Sequence, residues 1–452
     1  MTQLSLQTQR KYKFLKLIIC LNPIFFSLFV ILSGFVDYRG IFESGEYTSI
    51  AQNWLKNSFE DNLMIERLPL YPLFIALIFK IFGDYNLIAL ITAQSILGSI
   101  TFIYLIKTLE KLNISDSLII LLTLLLNLSI VFRFSVFLPN CLFVFLITMF
   151  LYNCTNFFYF KKNKSIYWMS LYIFLMMLTR PIFQLSIIFT IPILSIFILK
   201  QDFQKNLKIK FILVLVLSYF FSAGIQFIRY YKNTENISYS TQSGFQLIYW
   251  VLPCLSQKYG CGSRDMEVHS LLNQRLKNEI GERNLSEVQE NKIAWKIGIN
   301  YFLSEMNKTE AIKSAFFSYS KLLFHPTLTE IYPSFNVDFK NFSALNGDNF
   351  EEKFILFLKK SFSDIKYFLY MMSLIFIFLL RILQLVGIFS LKRNSSNLYY
   401  ILTLISLIPV IIIPAIGIGN PRYRSEIEVI LIVLGAFGLN NFLKFISKKI
   451  HK

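Results

Sequence analysis

Two carboxylates and a cation stand close together near the start of this chain: Glu43 and Glu46 in the run Glu-Ser-Gly-Glu-Tyr47, then Arg67 opening Arg67-Leu-Pro-Leu-Tyr-Pro72. A carboxylate can take the proton of an attacking hydroxyl or amine, and a fixed cation can hold a phosphate while negative charge builds on it. Farther along come further polar residues at the ends of apolar runs: Arg180, Lys232 with Asn233, and the late triplet Arg422-Tyr423-Arg424. Residue types of this kind also have plainer uses. A carboxylate favours the start of a helix through its charge, and a cation at the end of a span anchors it.

The elements that must position these groups follow from composition. Apolar residues make up 55% of 452 positions, 48 of them phenylalanine, and the mean hydropathy is +0.53. That is more apolar surface than one soluble core can bury, so an all-α polytopic membrane protein is expected. The net charge of +18 is scattered in short clusters between apolar runs, which excludes the single basic face of a nucleic-acid partner. Runs long enough to cross roughly 30 Å of hydrocarbon fall at Leu17–Val36, Leu87–Ile106, Ile114–Phe132, Val136–Tyr159, Ile166–Leu178, Ile182–Leu199, Phe211–Ile228, Tyr367–Leu391, Leu398–Ile418 and Ile427–Phe442. These make about ten transmembrane helices, of which the two meeting at Arg180-Pro181 can also be read as one bent hairpin.

Lysine and arginine orient the spans, because basic loops stay on the cytoplasmic side. Arg10, Lys11, Lys13 and Lys16 precede the first span; Lys107 and Lys111, Lys161, Lys162 and Lys164, Lys200 to Lys210, Lys392 and Arg393, and Lys444 to Lys449 occupy every second loop. Both termini are therefore expected in the cytoplasm of a multi-pass plasma (inner) membrane protein, with the first span a retained anchor.

Five regions result: 1–36, the N-terminus and first span; 37–85, an outer loop; 86–228, spans two to seven; 229–366, an outer cap; and 367–452, spans eight to ten with a basic tail. In the outer loop, Tyr47, Ile50, Ala51, Trp54 and Leu55 share one face of a helix that should lie on the membrane surface, capped by Ser44, with Glu43 just ahead of it and Glu46 in its first turn. A second interfacial helix, Leu70–Phe82, begins at Pro69 or Pro72 and carries Arg67 at its mouth. The cap holds amphipathic stretches through Val268, Leu271, Leu272, Leu276 and Ile280 and through Ile293, Ala294, Ile297 and Tyr301, parted by Gly281 and an Asn284-Leu-Ser286 turn. No glycine-rich phosphate loop or strand-helix alternation provides for a soluble nucleotide donor.

The order of these features, a carboxylate before Tyr47, Arg67-x-Pro-x-Tyr-Pro72 running into Lys80-Ile-Phe-Gly83, Thr179-Arg180-Pro181, Lys232-Asn233, Ser240-Thr-Gln-Ser-Gly244 and Arg422-Tyr423-Arg424, resembles the GT-C glycosyltransferases. The likeness covers nearly the whole chain and is greatest to the bacterial branch related to protein O-mannosyltransferases and the lipid A aminoarabinose transferase. It implies an enzyme that takes a sugar from a polyprenyl-phosphate carrier and transfers it, with inversion, to an envelope lipid, protein or glycan on the outer face. The family's catalytic aspartate corresponds to Glu43, with Glu46 the rival base; the extra methylene changes the reach of the base. Arg67 matches the family's lysine and is expected on the carrier phosphate, as are Arg422, Arg424 and Lys232. Tyr47, Tyr71, Arg180, Asn233 and Tyr423 are expected to line the cleft. Ser425-Glu426 departs from the family's apolar-Pro pair, and Glu426 is expected to pair with one arginine of the triplet, leaving the other for phosphate.

No cofactor is firmly implied. Asp37, Glu43, Glu46, Glu60 and Asp61 could hold Mg²⁺ or Mn²⁺, but without an acidic cluster in a second loop a metal-independent transfer is expected. Cys254 and Cys261 lie outside and close in sequence, so an oxidising exterior permits a disulfide, while Cys20, Cys141 and Cys154 fall in apolar spans. Two other functions fit many spans and a phosphate cavity: a polymerase of polyprenyl-linked glycans, and a transporter or flippase of them. A transporter should carry ionisable groups deep in its spans. Here only Arg381, read as nearer the cytoplasmic end, and Glu428, a short way into the last span, qualify.

Overall fold

The computed structural model describes residues 6–33, 42–56, 67–112, 114, 127–234, 243–257, 265–334, 337–339, 350–389, 395–412 and 424–450. Among these the protein is all-α, without a strand. Five helices are long and apolar enough to cross a membrane: Lys11–Leu32, Leu87–Lys111, Asn140–Phe160, Lys205–Lys232 and Ile365–Val386. The expected span at Ile114–Phe132 lies mostly outside the described residues.

The chain begins with α1 (Leu6–Leu32), α2 (Phe42–Lys56), α3 (Leu70–Phe82) and α4 (Leu87–Lys111). Asn86 caps α4, its side chain accepting from Ala89 N at 3.0 Å. A short α5 (Leu128–Arg133), capped by Asn127, leads to α6 (Asn140–Phe160) and α7 (Lys164–Met177). The next expected span is broken: a 3₁₀ turn at Pro181–Ile187 precedes α8 (Thr190–Lys200). Pro181 has no N–H to continue a helix and disfavours helical backbone at Arg180. The 14-residue α7 rises only about 21 Å, so neither half spans a bilayer as a regular helix. Helix α9 (Lys205–Thr234) returns along α7.

A second unit follows. Helix α10 (Ser243–Leu255) contains a π-helical turn at Leu247–Val251 and packs with α11 (Met266–Ile280) and α12 (Glu287–Ser304) around Ile248, Leu252, Leu272, Leu276, Ala294 and Tyr301. Gly281, at φ +57°, stops α11. Gly244 lets α10 touch α12: a Cβ there would collide with Asn291 O, and its N–H donates to Asn291 Oδ1 at 2.7 Å. Cys254 is disulfide-bonded and Cys20, Cys141 and Cys154 are free; the remaining cysteine, Cys261, lies outside the described residues. Helices α13 (Lys308–Phe324) and α14 (Leu328–Ser334) lead to α15 (Phe350–Ser363), which folds back on α16 (Ile365–Phe389), and α17 (Ser395–Ile412) and α18 (Arg424–Ile450) complete the bundle.

Two polar belts mark the ends of this bundle. At one end Lys16 pairs with Glu110 at 2.8 Å, and Lys111 bonds Asn156 and lies 4.1 Å from the Tyr152 ring centroid. At the other, Ser27 meets Ser135 at 3.0 Å, and Gln94 donates to the carbonyls of Phe134 and Val136 at 3.1 and 2.9 Å. The candidate residues gather at this second end.

Candidate functional site

Helix α2 forms because most of its apolar stripe can be buried: Tyr47, Ile50, Ala51 and Trp54 are, while Leu55, expected on the same face, is exposed. It begins at Phe42, so Glu43 falls inside the first turn rather than ahead of it. The side chain of Glu43 lies outside the described residues. Glu46, one helical step on, is described: it is half exposed and accepts from Arg67, with Arg67 Nε at 2.9 Å from Oε2 and Nη2 on the same oxygen. The Arg67 guanidinium stands 5.5 Å from the ring centroid of Tyr47.

Arg67 is held in place from behind. Tyr47 meets Tyr71 edge to face at 5.3 Å, Tyr71 donates its hydroxyl to Gln94 Oε1 at 2.9 Å, and Gln94 is tied to the turn at Phe134–Val136. The Arg67 carbonyl accepts from Arg229 Nη2 at 3.3 Å, and Leu70 N donates to Leu178 O at 3.1 Å. Arg229 and Gln94 carry no sequence signal that marks them for this site. Lys232, expected there instead, is exposed in the last turn of α9. Tyr47 and Tyr71 are buried supports beneath the Arg67 pair. The side chain of Asn233, and the whole of Arg422 and Tyr423, lie outside the described residues.

Beside this pair is a buried ionic cluster. Arg180 bonds Glu426, which also accepts from Asn140 Nδ2 at 2.6 Å. Glu426 thus has an arginine partner, but it is Arg180 rather than Arg424. Arg424 turns inward: Nη2 donates to Thr327 Oγ1 at 2.7 Å, Nη1 to the His325 carbonyl, and Nε lies 3.6 Å from Glu428. With its side chain 2% exposed, Arg424 lies inside the bundle and not at the rim where it was expected. Arg381 also departs from expectation. It reaches Glu428 at 2.9 Å, Gln384 at 2.7 Å and the Leu323 carbonyl at 3.1 Å, so it belongs to this end of the bundle. Arg133, likewise unremarked in the sequence, bonds Glu330.

Three arginines from α5, α16 and α18 therefore fasten one short segment, Leu323–Glu330, which closes α13 and opens α14. Arg381 and Arg424 satisfy carbonyls that the helix end would otherwise leave unpaired, and Arg133 holds the Glu330 carboxylate. Burial pushes the His325 imidazole down to about 4, helped by the nearby charges of Lys321 and Arg424. The ring is neutral at neutral pH, with Nδ1 2.9 Å from Thr329 Oγ1. Among the described residues no group of three or more His, Cys, Asp or Glu side chains could hold a metal.

The motif at Ser240–Gly244 has only its last two residues described. There Gly244 serves the close approach of α10 to α12, and Tyr249 bonds Asn273 at 3.3 Å within the same small core.

No protein-family model matches the chain, and no curated protein matches it significantly. What the geometry offers chemically is a half-exposed carboxylate gripped by an arginine, next to a bundle end rich in guanidinium groups. Such a site suits an anionic leaving group and a proton acceptor working side by side.

Proposed function

We propose that this chain is an integral-membrane glycosyltransferase of about ten spans, acting at the outer face of the plasma membrane, that moves a sugar from a polyprenyl-phosphate carrier to an acceptor hydroxyl or amine. The observation that carries the reading is the Glu46–Arg67 pair: an acid on α2 and a cation just ahead of α3 meet, so that one can face an acceptor and the other a phosphate. In the resting chain each occupies the other. An incoming phosphate competes for Arg67 and frees the carboxylate.

The acceptor oxygen or nitrogen then attacks the anomeric carbon from the face opposite the phosphate, with Glu43 or Glu46 taking its proton. The bond from the anomeric carbon to the phosphate oxygen breaks, and its electron pair leaves on the phosphate, where Arg67 offsets the charge. Inversion follows from the single displacement. Tyr47 and Tyr71 position Arg67, Gln94 holds the Tyr71 hydroxyl, and Arg229 holds the Arg67 carbonyl.

One observation favours a second reading, transport of the lipid-linked glycan: the ionic cluster of Arg381, Arg424 and Glu428 is buried inside the bundle. A single experiment separates the two. Purified protein is incubated with labelled polyprenyl-phosphate sugar and an envelope extract as acceptor. Transfer of label with release of polyprenyl phosphate supports the enzyme; label that crosses a vesicle membrane with its sugar-phosphate bond intact supports the transporter.

A further inference from the structure

Between α5, α14, α16 and α18 lies a small cavity bounded on its polar side by Asn127, Ser129, Thr327, Ser373, Arg424 and Glu428. We propose that it binds one small inorganic anion of chloride size, a site independent of whichever reaction the chain performs.

Charge is the first argument. Arg133, Arg381 and Arg424 face only two carboxylates, Glu330 and Glu428, and the neighbouring Arg180–Glu426 pair adds one of each sign. Among the described residues the cluster, mostly buried, therefore holds one positive charge in excess. A guanidinium cannot shed its proton to relieve this, and an uncompensated charge away from water is strongly unfavourable. His325 is neutral and adds nothing.

Unused donors are the second. Arg424 Nε, 3.6 Å from Glu428 Oε2 and beyond hydrogen-bond distance of it, and Ser129 Oγ are buried without a hydrogen-bond partner, and both residues line the cavity; Arg133 Nε is likewise buried without one. Thr327 Oγ1 accepts from Arg424, which leaves its own proton to give. The carboxylate of Glu428 also borders the space, but Oε2 is taken by Arg381 at 2.9 Å and Oε1 by Asn127 at 3.4 Å. Buried polar atoms left without partners call for a bound species.

Size selects the species. About 30 Å³ is open to the centre of a water molecule, room for an ion and a water at most. A sugar or a lipid phosphate is too large. The opposite wall of Leu128, Phe376, Ile377 and Leu380 is apolar, tolerable for a weakly hydrated halide and poor for a second water layer.

Two measurements test this on the full chain in detergent. Crystals grown with bromide in place of chloride, measured at the bromine edge, should show an anomalous peak between Ser129, Thr327 and Arg424. Chloride titrated into gluconate at constant ionic strength should raise the melting temperature saturably, and Ser129→Val should raise the half-saturating concentration by about ten-fold. An absent bromine peak, or equal melting temperatures in chloride and gluconate, would mean that water alone fills the space. Should Ser129→Val not fold, the wild-type halide comparison decides by itself.

Discussion

Arg67 commits two nitrogens, Nε and Nη2, to a single oxygen of Glu46. The side chains of the acid and the cation are 48% and 19% exposed respectively. At that exposure the pair contributes little to stability. Its worth lies in keeping both groups together and poised to part.

Arg67→Ala should leave membrane yield unchanged while weakening donor engagement. Loss of a charge-assisted bond to phosphate costs about 1.5–3 kcal/mol, or roughly ten- to a hundred-fold in donor KM. Activity per unit of inserted protein is the readout, and a parallel loss of yield and activity would assign Arg67 to folding instead.

Glu43→Gln should abolish transfer, by about 10²–10⁴-fold, with carrier binding and folding intact. Near-normal turnover in that variant moves the base to Glu46, and Glu46→Gln then becomes the inactive one. Near-normal turnover in both removes the carboxylate chemistry altogether.

Arg424→Gln should behave as a stability variant. Removing one partner from a buried ionic cluster costs about 3–5 kcal/mol, visible as a lower melting temperature in detergent. Donor KM of the protein that remains folded should stay within about two-fold of wild type. A selective rise in KM would restore Arg424 to the phosphate site.

His325 predicts an acid-sensitive fastening. Its folded value of about 4 lies below the ordinary 6.5, chiefly through burial and then through Lys321 and Arg424. Between these two values the unfolded chain binds a proton that the folded one does not. The stabilisation is therefore complete above about pH 6.5 and drains away as pH falls toward 4, with roughly 2 kcal/mol gone at pH 5. Tyr370, with its ring 6.2 Å away, and Thr329 are the other groups facing it. In His325→Gln the melting temperature should fall less between pH 7.5 and pH 5 than in wild type; equal slopes would refute the assignment.

Gly244→Ala should disrupt the unit formed by α10, α11 and α12. The added methyl would meet Asn291 O and Trp295 N, backbone atoms of α12 that cannot swing aside. Faster proteolysis within 243–304, with the transmembrane helices still protected, is the expected result.

Local pattern carried much of the fold. The stripe at Tyr47, Ile50, Ala51 and Trp54, the start of α3 after Pro69 and the stop at Gly281 were legible because each depends on residues a few positions apart. In α12, too, the main chain of Ser286 is secured locally, donating to Gln289 Oε1 at 2.9 Å. The partners of the charged residues were not legible. Arg133 finds Glu330 across 197 positions, and Arg180 finds Glu426 across 246. Such pairs leave no periodic trace, so Arg424 looked like a rim cation when it is an interior one. Arg381 was misplaced because a long α16, read without its neighbours, gave no clue that α18 lies alongside it with Glu428 at the same height.

The segment Leu323–Glu330 depends on Arg133, synthesised long before it, and on Arg381 and Arg424, synthesised after it. As the chain emerges, this joint has one clasp waiting and two still to come. The helices on either side of this joint cannot be held by all three arginines until α18 is in place.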